Sequence, residues 1–133
     1  MPCYDFSNFG QYFAENMNAL GLSTPNSIFS SATVAYANIH ILASAVTLYG
    51  RRVTVNEVWG TSGKLERLRA APPILAAFYA GAAAGSAAVA LGRSLGCNTT
   101  IADAITQLQK NGINEVWLEG QLRSNPQFVN PIR

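Results

Sequence analysis

The chain has 133 residues, 49% of them apolar and only 12% charged, with a formal net charge of +2. That length suits one domain with a core of its own, while the charged share is about half that of an average globular protein. Nine cations scattered among seven anions exclude a nucleic-acid interface. Two cysteines, Cys3 and Cys97, exclude a disulfide framework and read as ordinary thiols, a Cys3–Cys97 bridge being the lesser alternative.

The opening residues Met1-Pro2-Cys3-Tyr4-Asp5 lack a basic segment followed by an apolar stretch, so no secretory signal and synthesis in the cytoplasm are expected. Phe6, Phe9, Phe13, Met17 and Leu20 recur at steps of three and four, which predicts a first amphipathic helix. Gly21 with Leu22 behind it suits the end of that helix. Thr24-Pro25 predicts the start of a second helix running to Tyr49, with Gly50 as its stop. This helix carries no formal charge. One face holds Ile28, Ala32, Ala35, Ile39, Leu42, Val46 and Tyr49; another holds the hydroxyl-and-imidazole stripe Ser30, Thr33, His40, Ser44 and Thr47.

A connector over residues 51–71 follows, in which Arg51, Arg52, Lys64, Arg67 and Arg69 stand against Glu57 and Glu66, five cations less two anions, a net of +3. Thr54 and Glu57 match a capping box for a short helix ending near Gly60, and a second short helix is expected from Lys64 to Ala71. Gly60-Thr61-Ser62-Gly63-Lys64 resembles a phosphate loop but has Val58 where the motif needs glycine and Leu65 where it needs Ser or Thr, so nucleotide binding is not expected.

Pro72-Pro73 opens the third long helix, predicted to reach Leu95. Its middle, Ala80–Ala88, has no side chain larger than that of Ser86, and Ala77, Gly81, Gly85, Ala88 and Gly92 share one stripe. That spacing lets two helix backbones approach closely. Thr100 and Asp103 form another capping box for a helix stopping at Gly112, and Asn114 is placed to cap a last helix over Glu115–Arg123. Pro126 and Pro131 predict an extended tail. Asn56-Glu57-Val58-Trp59 recurs as Asn114-Glu115-Val116-Trp117, but the neighbouring residues do not align and no duplication follows.

The pattern therefore predicts an all-α fold: a single domain over residues 1–133, with about five to six helices around a central apolar hairpin spanning residues 25–95. Both long helices are long enough to cross a bilayer, provided that Asn38 and His40 face water or a bundle interior. Tyr36, Tyr49, Tyr79, Trp59 and Trp117 suit an interfacial belt or core anchors. A soluble bundle with the two helices buried at its centre has the same signature.

Catalysis finds little support. His40 is the one histidine and reads as a packed or hydrogen-bonded side chain; neither a metal site nor a catalytic triad can be assembled around it. Glu115 and Glu119, one turn apart, read as a solvated face rather than paired acids. No catalytic residue, metal or cofactor is expected.

Gly81, Gly85, Gly92 and the charge-free hairpin resemble small glycine-zipper pore-forming bacterial toxins, including effectors delivered by type VI secretion. Phage holins share the apolar hairpin, but the weakly charged Asn111–Arg133 segment departs from their charged tails. The toxin resemblance implies a membrane-active, ion-conducting or depolarising protein, exported by a signal-independent route, with a lipid membrane as target. It further implies self-association and a cognate immunity or carrier protein. The polar stripe would then line the path. The competing expectation is a soluble all-α interaction module, an immunity or adaptor protein, with a large apolar interface.

Overall fold

The computed structural model describes residues 9–22, 29–59, 74–95 and 100–129. Cys3, Cys97, the Gly60–Lys64 loop and the short helix expected at Lys64–Ala71 lie outside the described residues, as do the side chain of Trp59 and the surroundings of Gly92. The fold is all-α. In chain order, α1 covers Phe9–Ala19, α2 Ala32–Tyr49, α3 Val55–Trp59, α4 Ala76–Leu95, α5 Ile101–Lys110 and α6 Val116–Ser124, followed by a 3-10 turn at Pro126–Phe128.

Helix ends follow the capping residues. At the end of α1, Gly21 takes φ +79°, and the Leu22 N–H donates to the Met17 carbonyl at 2.9 Å. Gly112 ends α5 in the same way, with φ +76° and Ile113 N–H donating to the Leu108 carbonyl. These are positive-φ closures that glycine adopts without steric cost. Both predicted capping boxes form. The Thr54 hydroxyl accepts from Glu57 N–H at 3.2 Å while the Glu57 carboxylate accepts from Thr54 N–H at 3.0 Å. Thr100 and Asp103 make the same reciprocal pair at the start of α5.

Several predicted boundaries move, each for a physical reason. The second helix starts at Ala32 rather than Pro25, capped by Ser31 in extended conformation with its hydroxyl accepting from Val34 N–H. Ahead of that cap Phe29 drops into the core and stacks on Phe13, ring centroids 4.4 Å apart. The third long helix starts at Ala76 rather than Pro72. Here the Val55 and Ala76 amides are taken by the Ile74 and Val53 carbonyls, both at 2.8 Å, in an isolated antiparallel bridge between Thr54 and Leu75. Glu115, not Asn114, occupies the N-cap of α6, without a side-chain bond. The repeated Asn-Glu-Val-Trp therefore sits in two different registers: its glutamate is the third residue of α3 but precedes α6.

The largest correction concerns the segment after α6. It is not extended: Pro126–Phe128 is a 3-10 turn that folds back on α4, and Phe128 is completely buried.

Of the two helices of the hairpin, α4 lies innermost: it packs against every other helix among the described residues and the 3-10 turn, whereas α2 lies along one side of it. From Ala76 to Ala90 every residue of α4 except the half-buried Phe78 is buried. A helix surrounded on all sides is apolar all round. Side chains no bigger than alanine also allow short interaxial distances, so several neighbours fit around one axis.

Candidate functional site

Two places in this frame carry the residues singled out in the sequence. The first is the small-residue face of α4. Ala77, Gly81, Gly85 and Ala88 are all buried there. What covers Gly81 and Gly85 is Phe128, not a second long helix. A Cβ placed on Gly81 would stand 2.8 Å from Phe128 Cε2 and 3.2 Å from Gln121 Cβ; one on Gly85 would stand 2.6 Å from the Phe128 carbonyl oxygen. Alanine does not fit without movement. Each mid-helix glycine costs about 0.5–1 kcal/mol relative to alanine, and burial of the Phe128 side chain, worth about 1.5–3 kcal/mol, offsets it. The Phe128 ring also meets Phe78 edge-on at 5.2 Å.

Beside this contact lies a buried polar junction. The Asn16 side-chain amide donates to Ser86 Oγ and to the Phe128 carbonyl, each at 2.9 Å, and both Asn16 and Ser86 are fully buried. One side chain thus ties α1, α4 and the 3-10 turn together. In a low-dielectric interior such bonds are strong, and removing one partner leaves the others unsatisfied. Neither Asn16 nor Phe128 was singled out in the sequence. The available signals were the one hydroxyl within the small-residue run Ala80–Ala88, and an asparagine one turn after Phe13 on an otherwise apolar face.

The second place is the outer face of α2. Ser30, Thr33, His40, Ser44 and Thr47 are all exposed, along with Ala37, Ile41, Leu48 and Tyr49. Ser30 precedes the helix rather than lying on it. His40, expected to be packed or hydrogen-bonded, faces outward. The opposite face buries Ala35, Tyr36, Asn38, Ile39, Leu42, Ala43 and Val46, with the Asn38 amide donating back to the Val34 carbonyl at 3.0 Å. Tyr36 leaves its hydroxyl buried without a hydrogen-bond partner. Thr47 accepts from the Trp117 indole N–H at 3.1 Å, which fastens the end of α2 to α6. Tyr49, at the helix end, is 72% exposed, whereas Tyr79 is a core residue.

Among the described residues no group of three His, Cys, Asp or Glu side chains is placed to hold a metal ion. Glu115 and Glu119 are half-buried rather than solvated, and Glu115 Oε1 has no hydrogen-bond partner. An open surface depression lined by Arg51, Val116, Trp117, Gly120, Gln121 and Ser124 adjoins the Thr47–Trp117 bond.

By length and composition α2 is the one helix among the described residues able to cross a membrane. Among the described residues the apolar stretch of α4 is Ala76–Leu91, short of the roughly 20 residues of a typical crossing. No protein family, curated protein or solved structure matches the chain.

Proposed function

We propose that this is a membrane-active, non-enzymatic helical protein of the pore-forming or depolarising kind, acting through α2. The observation that supports this reading is the poor fit between the composition of α2 and its burial. Over 18 residues it carries no charge, yet only 39% of it is buried, and Ile41, Leu48 and Tyr49 stand 42%, 73% and 72% exposed. A charge-free helix with that much apolar surface in water gains by moving into lipid or against a partner. On insertion the Ser30, Thr33, His40, Ser44 and Thr47 stripe turns toward water or a second copy, and the bulky face turns toward lipid. Self-association, a cognate immunity or carrier protein and a signal-independent export route belong to the same proposal.

The test is leakage of dye-loaded liposomes at micromolar protein. The wild-type chain is expected to release the dye. Ile41→Glu with Leu48→Glu, both on exposed positions, is expected to stop release while leaving the helical circular dichroism unchanged. Intact liposomes with the wild type would sink the proposal.

A second reading has its own support. The burial of all but Phe78 between Ala76 and Ala90 of α4, with Phe128 and the Asn16–Ser86 pair closed over it, suits a stable water-soluble bundle whose α2 face is a protein interface. That reading predicts a detergent-independent oligomer or complex in sedimentation and no leakage.

A further inference from the structure

The 3-10 turn is built differently from the rest of the core, and the difference points to movement. Elsewhere α4 is lined with alanine: Ala82, Ala83, Ala84, Ala87 and Ala88 give the helix all the smallness that close packing requires. Gly81 and Gly85 go one step further, and the atoms that a Cβ would strike belong chiefly to Phe128. The two glycines make a seat for that one residue. What holds it there is local. Phe128 N–H donates to the Asn125 carbonyl and Val129 N–H to the Pro126 carbonyl, so the amides bond within the segment. Among the described residues its ties outward are the Phe128 ring, the half-buried Val129 packed against the core, and the Phe128 carbonyl that accepts from Asn16. Pro126 and Gln127 are exposed. The contacts of α1, α2, α5 and α6 with α4 are made separately from those of the turn.

We propose that residues 126–129 form a latch over the glycine face of α4, opening as a unit without unfolding of the bundle and governing when that face becomes available to a second copy as α2 enters the membrane. The gating role rests on the membrane reading above; the latch itself does not. An open latch uncovers Gly81, Gly85 and Ser86, a face where a second backbone can approach closely.

The experiment uses the full-length chain with Cys3→Ser and Cys97→Ser, carrying either Ser86→Cys beneath the latch or Ala83→Cys elsewhere in the core. Both positions are fully buried. Reaction with a water-soluble aromatic disulfide then reads opening at each place in the absence of lipid. Sub-global opening makes Ser86→Cys react at least about tenfold faster than Ala83→Cys. Adding Gly85→Ala, which pushes on the Phe128 backbone while favouring the helix, raises the Ser86→Cys rate by about a further tenfold and leaves Ala83→Cys nearly unchanged. Should Gly85→Ala fail to fold, Phe128→Leu makes the same comparison by loosening the ring. Equal rates at the two positions, or acceleration of both alike, overturn the latch, because the turn then lifts only with global unfolding. In lipid, Gly85→Ala keeps the residue small and is expected to speed leakage by about tenfold. Faster labelling with unchanged leakage overturns the gating role. A wild type that releases no dye overturns the membrane reading and the gating built on it, and the labelling comparison still decides the latch.

Discussion

Helices α2 and α4 have much the same apolar, nearly charge-free character, yet one lies half outside the protein and the other at its centre. Side-chain size separates them. Between Ala76 and Ala90 the larger side chains of α4 are Phe78, Tyr79 and Val89, and the rest of its circumference can be approached by α1, α2, α5, α6 and the 3-10 turn. In α2, bulky residues occur on both sides: Ile39, Leu42 and Val46 point inward, Ile41 and Leu48 outward. A helix with bulk on two faces holds a neighbour at a normal distance on one and leaves the other uncovered. Central position in this bundle follows smallness more than hydropathy.

The sharpest way to break this comparison is to empty the contact that the small face of α4 makes. Phe128→Ala is expected to cost about 3–5 kcal/mol in chemical denaturation, the range for a fully buried aromatic. A loss below 1 kcal/mol would mean that the turn does not belong to the core. Next, one chemical change can be made in both helices. Ala83→Leu at the centre of α4 is expected to cost about 1–3 kcal/mol or more by overpacking, while Ala37→Leu on the exposed face of α2 stays within about 0.5 kcal/mol; similar melting temperatures for the two variants would remove the distinction. Asn16→Ala tests the polar junction. It strands Ser86 and the Phe128 carbonyl and is expected to lower stability by about 1–3 kcal/mol. A smaller loss than that of the buried junction is expected at the outer attachment of α2: Thr47→Val deletes an exposed hydrogen bond to Trp117 and should cost no more than about 0.5–1.5 kcal/mol in the same assay.

The parts of the fold legible in advance were those governed by neighbours in the chain. The capping boxes at Thr54 and Thr100 and the glycine stops at Gly21, Gly50 and Gly112 depend on residues within one turn of each other, and the helices stop or start where they direct. The starts of α2 and α4 were misplaced because distant residues compete for them. Phe13 takes Phe29 into the core, and the carbonyls of Val53 and Ile74 take the Ala76 and Val55 amides. The candidate site was legible to the same degree. Gly81 and Gly85 announced a close approach, but nothing near them in sequence named Phe128, more than forty residues further along, as the group that approaches.

By itself, then, the sequence determined an all-α chain, the caps that end most of its helices, and a central segment small enough to be approached on every side. Only the tertiary structure decided that α4 lies innermost of the two hairpin helices, that the stripe on α2 faces outward, and that a proline-led turn closes the glycine face. The physical reason is range. Capping and periodicity act over three or four residues, whereas the Asn16–Ser86–Phe128 junction joins positions 70 and 112 residues apart, and such contacts exist only once the helices have packed.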